Sequence, residues 1–395
     1  MTVSFVEPAI EQLLVERIVS VAEMASLAEE WNALAQDVPF LRHEWLETWW
    51  RHYGSPSQEL FIIALRTADG ELVGVAPWYR TTLLSRLRVV RQLGSGEVAS
   101  DYVGLLAHPD HTDAVAREIS RWLVEDGAGE WDLIDIDAVR ADDPAFERLI
   151  AELRVCGHLV DRRLPYRTWK ATLAATWDGY LATISKSRRE QTRRFLRRSV
   201  DTGRAVVRCV EHEDELPQGW RILADLHQRR RVSLGDAGCF SSPRFVQFHT
   251  EVARRFLDLG RLRLRWLEIG GKPAAVEYGF TGGDTIYYYQ SGIDPALAEE
   301  SPGWISLATS LRSAIEDGYR FFDFLRGDEP YKASLGGQPV PLARIRIVGR
   351  SLLARTHYRA WLAGSRAKGL VKRGWQKLQT WRRSAEASHG KGEQN

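Results

Sequence analysis

The chain has 395 residues and a formal net charge of +2, and its 44% hydrophobic and 27% charged residues are typical of a globular protein with a sizeable core, which excludes a disordered chain. At about 150 residues per domain, this length predicts two or three domains. No apolar run approaches the roughly 20 residues that cross a bilayer, and the three cysteines are too widely spaced for a disulfide framework or a paired-cysteine metal site. We therefore expect a cytoplasmic protein without a metal centre.

The first half of the chain is predicted to be a sheet with helices packed on it. Helical periodicity predicts helices at about 21–35, 44–53 and 109–122, and short apolar runs predict strands at 61–66, 72–80, 101–106 and 131–137. Residues 91–96, RQLGSG, match the glycine pattern of acetyl-CoA loops. Anion binding needs a helix N-terminus after such a loop, whereas here a strand is predicted, so we interpret the segment as a turn.

A basic segment follows the first half. Residues 185–198 are predicted to be helical and are dense in lysine and arginine. On this helix, Lys186, Arg189 and Arg193 could bind the phosphate groups of a ligand. Alternatively, the cations form a solvated face, as charge runs commonly do. Two further helices, near 220–231 and 243–259, lead into the second half.

The second half repeats the order of elements seen in the first. It is predicted to contain strands at 262–269, 272–280, 285–293 and 321–325, with a helix near 303–317 before the last of them. The motifs DGELVGVAPWYR and GGKPAAVEYGF occupy matching places about 200 residues apart, which indicates an internal duplication. We predict an N-terminal domain at 1–165 and a C-terminal domain at 166–349, with sheets that pack side by side.

The chain ends in a basic segment, residues 350–395. This segment carries a formal charge of +9, which leaves −7 for the rest of the chain. Val371, Trp375 and Leu378 recur at helical spacing and predict a basic amphipathic helix. Such a helix could lie on an anionic membrane or on a membrane-bound synthase, or pack back on the domain; no nucleic-acid-binding motif is present. We therefore expect a cytoplasmic protein that can be peripheral on the inner membrane face.

Several segments resemble a known family. They are PFLRHEWLETWW, LGSGEVASDYVGLL, SKSRREQTRR, YYYQSGIDP, SPGW and FFDFLRGDEPYK, and the resemblance spans about residues 31–348. The chain resembles the CelD-like cellulose-biosynthesis acetyltransferases of the GNAT superfamily, which are relatives of the Fem peptidyltransferases. The resemblance implies a mixed-sheet α/β fold of two tandem GNAT-like domains, the first degenerate and the second carrying the acyl-transfer site.

The resemblance also implies a reaction. The expected activity is transfer of an acyl group from acetyl-CoA or another acyl-CoA to an amine or hydroxyl of a carbohydrate, polysaccharide or cell-envelope precursor. Two alternatives remain open: a Fem-like transferase that uses aminoacyl-tRNA, and a non-catalytic partner of a polysaccharide synthase. The first alternative would use the basic helices as tRNA contacts, and the second would use the basic tail.

The resemblance implies a donor site at the start of the helix near residue 303. In a GNAT domain the pyrophosphate of acyl-CoA meets the N-terminus of the helix that follows two splayed strands. Ser301, Gly303 and Trp304 occupy that place here, with a hydroxyl to cap the helix and a glycine to permit close approach. The alternative is an ordinary helix N-cap that binds no ligand. In this setting Lys186, Arg189 and Arg193 could also contact CoA.

Two carboxylates are the candidate catalytic groups. Glu277 and Asp323 each interrupt an apolar strand, where an isolated charge is costly unless it is paired or used. Either could accept a proton from the acceptor, or form a buried ion pair with Arg326 or Lys332. A loop rich in polar residues follows the second strand, and the carboxyl ends of strands commonly form ligand sites. From this loop we predict that substrate is bound by Arg326, Asp328 and Lys332, and that Tyr331 either protonates the leaving thiolate or only packs.

Overall fold

The computed structural model describes residues 12–83 and 86–362, which form a mixed α/β fold. The helices are α1 (Val21–Ser26), α2 (Ala28–Leu34), α3 (His43–Tyr53), α4 (Thr112–Val124), α5 (Pro144–Val155), α6 (Trp177–Thr183), α7 (Lys186–Ser199), α8 (Leu216–Ser233), α9 (Pro243–Asp258), α10 (Pro302–Glu316) and α11 (Pro330–Ser334). A C-terminal helix begins at residue 352 and continues to residue 362, the last described residue.

The strands alternate with these helices along the chain. They are β1 (Leu14–Ile18), β2 (Gln58–Leu60), β3 (Ile62–Arg66), β4 (Leu72–Ala76), β5 (Trp78–Thr82), β6 (Arg88–Gln92), β7 (Leu106–Ala107), β8 (Leu133–Arg140), β9 (Leu159–Thr172), β10 (Ala205–Cys209), β11 (Leu262–Ile269), β12 (Lys272–Gly282), β13 (Thr285–Ile293), β14 (Phe321–Arg326) and β15 (Gln338–Val348). The α/β class predicted from the sequence is confirmed.

Strands from both halves of the chain share one large sheet. Its eleven strands follow the order β10-β11-β12-β13-β14-β9-β15-β8-β6-β5-β2, and a separate four-stranded sheet has the order β1-β3-β4-β7. The two halves join where β9 and β15 pair with each other and with strands on either side. The expectation of two sheets packed side by side is therefore wrong. The predicted boundary after residue 165 lies inside β9, so the halves are connected by a strand rather than by a flexible linker; the domain assignment itself stays a prediction.

Three predicted elements differ from those observed. The helix expected at 21–35 is two helices, α1 and α2, which meet at Leu27. The strand expected at 72–80 is divided into β4 and β5, which lie in different sheets; Pro77 separates them and has no N–H to donate to a ladder. The segment 101–106 is an irregular loop, apart from Leu106 and a single bridge between Val103 and Val139, and its polar side chains bond to the second half of the chain.

Two layers of helices cover opposite faces of the sheet in the second half. The inward-facing rings of Tyr278, Phe280 and Tyr287 pack with α3, α8 and α9 in one core cluster. On the other face, Phe322 and Phe324 pack with residues of α6 and α10. Because strand side chains alternate between faces, neighbouring residues of β12 and β14 contact different layers. Within the described ranges, no helix is long and apolar enough to span a bilayer.

Candidate active site

The candidate site lies where β13 and β14 diverge. These two strands are parallel and pair only from Thr285 to Tyr287 with Phe321 to Asp323. Beyond that point β13 continues along β12 and β14 continues along β9, so a V-shaped opening starts at the last pair, Tyr287 and Asp323. A register shift between β12 and β13 leaves Tyr289 without a cross-strand partner. Such bulges are common beside active sites, where they redirect side chains and backbone groups.

Asp323 is buried at the start of this opening, and its side chain is 1% exposed. One carboxylate oxygen accepts a hydrogen bond from the Tyr102 hydroxyl, and the other accepts one from the backbone N–H of Leu325 at 2.8 Å. The same hydroxyl lies 2.5 Å from Oγ1 of Thr168. Burial raises the pKa of Asp323 to about 7, although the hydrogen bond from Tyr102 lowers it. A carboxyl with this pKa can gain and lose a proton near neutral pH.

The loop that supplies Tyr102 belongs to the first half of the chain and is fixed by an ion pair. Asp101 is 2% exposed and contacts the Arg326 guanidinium, and the Arg326 backbone N–H donates to the same carboxylate at 3.2 Å. Nη2 of Arg326 also donates to the carbonyls of Ala99 and Ser100, each at 2.9 Å. Tyr102 has a left-handed backbone with φ of 58°, a conformation that residues other than glycine rarely adopt. The contacts to the second half therefore hold this loop in place.

Asp323 lines a cavity of about 300 Å³ between the two halves of the chain. Its polar wall is formed by Tyr102, Arg140, Asp143, Lys170 and Asp323. Its apolar wall includes Leu34, Val38, Leu41, Leu105, Pro144 and Val340. This volume is at the lower end of the range for small-molecule sites, and both halves contribute to it.

Glu277 lies on the opposite face of the sheet from Asp323. It is 3% exposed and lies under α10, where its Oε1 accepts a hydrogen bond of 2.7 Å from the Ser306 hydroxyl. Burial raises the pKa of Glu277, and its cross-strand neighbour Arg265 lowers it. The two predicted catalytic carboxylates are therefore not brought together. Each has its own partners, and the expected ion pairs with Arg326 or Lys332 are wrong for both.

The loop after β14 uses most of its charged side chains for internal contacts. Arg326 bonds to the Asp101 loop, and the buried Lys332 ammonium donates to the backbone carbonyls of Leu325 at 3.2 Å and Arg326 at 2.6 Å. Asp328 is exposed and pairs with Arg167 at 3.2 Å. Tyr331 packs against Phe324 on the α10 face, and burial raises the pKa of its hydroxyl. Of the residues predicted here, Asp328 is exposed, Arg326 and Tyr331 are half-buried, and Lys332 is buried.

The start of α10 differs in detail from the expectation. Ser301 makes no side-chain hydrogen bond to the helix and has a left-handed backbone with φ of 54°, so the predicted hydroxyl cap is wrong. A side chain at Gly303 would meet Cγ2 of Ile293 at 3.2 Å, so the glycine keeps this turn close to β13. Trp304 donates from Nε1 to Thr192 of α7 at 3.1 Å. The guanidinium of Arg188 lies over the Trp304 ring, 5.0 Å from its centroid.

The basic helix α7 therefore packs beside the N-terminus of α10. Lys186 and Arg193 are exposed and form ion pairs with Glu190 at 4.0 Å and Asp178 at 2.8 Å. For Arg189, no acidic partner is present in the described part of the chain. The cationic helix therefore lies beside the candidate donor site.

Sequence reasoning missed three residues of the site. Tyr102, Thr168 and Lys170 surround Asp323, but Tyr102 lies in a segment predicted to be a strand, and the other two lie near a predicted domain boundary. The only signal was the position of Asp101 and Tyr102 within the segment LGSGEVASDYVGLL, which carries the family resemblance. The residues Val371, Trp375 and Leu378 of the predicted basic helix lie outside the described residues. In residues 12–83 and 86–362, no group of three or more His, Cys, Asp or Glu side chains is placed to hold a metal ion.

The raised pKa of Asp323 predicts a pH-dependent stability difference between the wild type and Asp323→Asn. The carboxyl titrates near 3.8 in an unfolded chain and at about 7 in the folded protein, so the folded state binds more protons between these values. Unfolding then releases a proton, and the contribution of Asp323 to the free energy of unfolding falls as pH rises from about 4 to about 7. Urea titrations across this range should show wild type losing stability relative to Asp323→Asn. A constant difference would contradict the raised pKa.

Comparisons with known proteins give one matching family model and several similar folds. Residues 186–333 match the family model described as the acetyltransferase (GNAT) domain. The fold is similar to the crystal structure of FemX, with a TM-score of 0.60 and 13% identity over 80% of this chain and 95% of that chain. A comparison with curated proteins gave no match.

Two other structures align over most of their length at lower TM-scores. A tandem GNAT protein from the clavulanic acid biosynthesis pathway aligns with a TM-score of 0.44 and 13% identity over 85% of this chain and 98% of that chain. L-PGS from Bacillus licheniformis aligns with a TM-score of 0.46 and 12% identity over 85% and 96%. Since identities this low show a fold and not an activity, the family model carries the assignment. Residues 186–333 of this chain are therefore similar to the acetyltransferase domain of the GNAT superfamily.

Proposed function

We propose that the chain transfers an acyl group from acetyl-CoA or another acyl-CoA to a nucleophile bound in the cavity between its two halves. The observation that carries this proposal is the place of Asp323. It lies at the point where β13 and β14 diverge, it lines the cavity, and its pKa is about 7. A base with a pKa near the working pH is well suited to accept a proton from an attacking amine or hydroxyl.

The two faces of the sheet support two different roles. On the cavity face, Asp323 takes the proton of the acceptor, and the Tyr102 hydroxyl holds the carboxylate in position. On the α10 face, Tyr331 is proposed to return a proton to the leaving thiolate. In this proposal the acceptor nitrogen or oxygen bonds to the acyl carbon while the bond from that carbon to sulfur breaks. Glu277, which is sealed under α10 and bonded to Ser306, has a structural role.

The donor is proposed to bind at the junction of α7 and α10. Acyl-CoA supplies the thioester and carries phosphates, which suit a helix N-terminus next to cations. The start of α10 at Gly303 meets β13 closely, and Arg188 lies over Trp304 beside it. These residues, with Arg189, are proposed to hold the phosphates. The basic tail is proposed to contact an anionic membrane or a synthase, and the acceptor is proposed to be a carbohydrate or cell-envelope precursor, on the family resemblance.

Ligand-induced stabilisation tests the donor site. We expect acetyl-CoA to raise the melting temperature of the wild type, because a ligand at 100 times its dissociation constant stabilises the folded state by about 2.7 kcal/mol. Arg188→Met should weaken acetyl-CoA binding by roughly tenfold, the effect of one lost charge-assisted hydrogen bond. Arg198→Met, at the exposed far end of α7, is the control and should bind as the wild type does. Calorimetry gives the dissociation constants.

The same experiment separates the proposed function from the alternatives. A Fem-like transferase or a non-catalytic partner would gain no stability from acetyl-CoA at any concentration. Acetyl-pantetheine, which lacks the nucleotide and its phosphates, should bind equally to wild type and Arg188→Met. If Arg188→Met weakened both ligands alike, Arg188 would not contact the phosphates.

A further inference from the structure

Lys170 places a positive charge without a salt-bridge partner in the wall of the cavity, although Asp323 and Asp284 lie near enough to raise its pKa. It lies on β9, is half-buried and lines the cavity beside Asp323. Its ammonium group is 4.1 Å from the centroid of the Phe321 ring, and no carboxylate of the described chain forms a salt bridge with it. A half-buried ammonium without a salt bridge is costly, and a charged group of this kind in a cavity is a candidate for binding a ligand.

The other charged groups of the cavity already have partners. The Arg140 guanidinium donates to Asp142 at 3.0 and 2.8 Å. The Asp143 carboxylate accepts from the backbone N–H of Phe146 at 2.8 Å and caps α5. Asp323 is held by Tyr102 and by the Leu325 backbone. Lys170 is therefore the cation of this cavity that remains for an incoming anion, and its pKa is lowered chiefly by burial, which an anionic ligand would offset.

Lys170 and Asp323 lie next to each other on adjacent strands, and their side chains carry opposite charges when both are ionised. They are direct cross-strand partners of the antiparallel β9 and β14, where Cα atoms are about 5 Å apart. A ligand that carries a basic and an acidic group a few bonds apart would match both positions at once. The apolar side chains of Leu34, Leu41 and Leu105 line the rest of the cavity and could contact its carbon framework.

We propose that the acceptor is an amine that also carries a small anionic group, a carboxylate or a phosphate, and that Lys170 binds this anion while the amine lies beside Asp323. This inference rests on the proposed function, because it identifies the cavity as the acceptor site. In the transfer step the amine loses a proton to Asp323 and its nitrogen bonds to the acyl carbon, while the bond from that carbon to sulfur breaks and Tyr331 gives a proton to the leaving thiolate. Lys170 takes no part in bond making and determines which amines are bound.

Matched pairs of amines test the inference without any acyl donor. The pairs are phosphoethanolamine and ethanolamine, glucosamine 6-phosphate and glucosamine, and β-alanine and propylamine. Dissociation constants are measured by calorimetry after a thermal-shift screen. For at least one pair, the acidic member should bind about 10- to 100-fold more tightly than its neutral partner, as expected for a hydrogen bond between charged groups.

Variants at Lys170 decide whether this residue is responsible. Lys170→Met keeps the length of the side chain and removes the charge, so it should abolish the preference for the acidic member without changing the affinity for the neutral one. Lys170→Arg should retain much of the preference. Lys272→Met, an exposed lysine at the start of β12, is the matched control and should behave as the wild type. Circular dichroism and the melting temperature confirm that each variant is folded.

The outcomes distinguish this inference from the proposed function. The inference is overturned if no acidic amine stabilises the protein more than its partner, or if Lys170→Met keeps the preference. Acetyl transfer is measured separately with acetyl-CoA and the same pairs. If acidic amines bind in a way that depends on Lys170 but receive no acetyl group, the proposed function is contradicted and the anion site is retained. If acetyl transfer to the acidic and neutral members of each pair is equally efficient, only the inference about Lys170 is contradicted.

Discussion

Asp323→Asn is expected to lower the turnover number for acyl transfer by about 10²-fold or more, while the affinity for acetyl-CoA stays unchanged. The amide has the same shape as the carboxyl, but it cannot accept a proton from the acceptor. Its single oxygen can still accept the hydrogen bond from the Leu325 backbone, and its NH2 group can donate to the Tyr102 hydroxyl, which keeps its contact with Thr168, so the variant should fold. Steady-state kinetics with acetyl-CoA and calorimetry on the same preparations provide the two measurements.

Glu277→Gln provides the comparison for this prediction. Both residues are buried carboxylates of the same sheet, but Glu277 lies on the opposite face and is bonded to Ser306. We expect this variant to lower the free energy of unfolding and to keep a turnover number close to that of the wild type. The reverse result, an inactive Glu277→Gln with an active Asp323→Asn, would place the base under α10 and remove the cavity from the mechanism.

Tyr102→Phe tests the contribution of the first half of the chain to the same carboxyl. The hydroxyl of Tyr102 lowers the pKa of Asp323, so its removal should raise that pKa further. A base with a higher pKa is charged only at higher pH, and the rise of kcat/KM with pH should therefore move to higher pH. A purely structural tyrosine would lower the amount of folded enzyme and leave the pH profile in place.

The elements of the second half could be predicted from the sequence because their signals are local. The strands around Glu277 and Asp323 are continuous apolar runs, as is typical of strands buried on both faces. The helix α10 follows from apolar residues at helical spacing, with Pro302 at its first position. In these segments, local preference and tertiary packing favour the same structure, so periodicity is sufficient.

The cavity could not be predicted in this way because it depends on contacts between distant parts of the chain. Tyr102 and Asp323 are 221 residues apart, and Asp101 and Arg326 are 225 residues apart. The apolar run in DYVGLL suggested a strand, but its two polar residues bond to the other half. For the same reason the sequence assigned Arg326 and Lys332 to the substrate, although both side chains bond to protein groups.

Arg326→Met should destabilise the protein by about 3–5 kcal/mol, because it leaves the Asp101 carboxylate buried without its cation. Asp101 is 2% exposed, and Arg326 also bonds to two backbone carbonyls of the same loop, so one substitution removes several contacts between the halves. Urea denaturation, monitored by the fluorescence of the many tryptophans, gives the free energy of unfolding. Asp328→Asn, in the same loop but exposed, should change this free energy by no more than about 0.5 kcal/mol.

A double variant determines how much of the stability lost in Arg326→Met comes from the unpaired, buried Asp101 carboxylate. Asp101→Asn combined with Arg326→Met removes both charges, so it should be more stable than Arg326→Met alone, because no unpaired carboxylate remains buried. If Arg326 instead bound substrate, as the sequence suggested, Arg326→Met would raise the KM for the acceptor and leave the free energy of unfolding near the wild-type value. That result would mean that the Asp101 loop is held by other contacts, and that the Arg326 side chain is free to face the cavity during turnover.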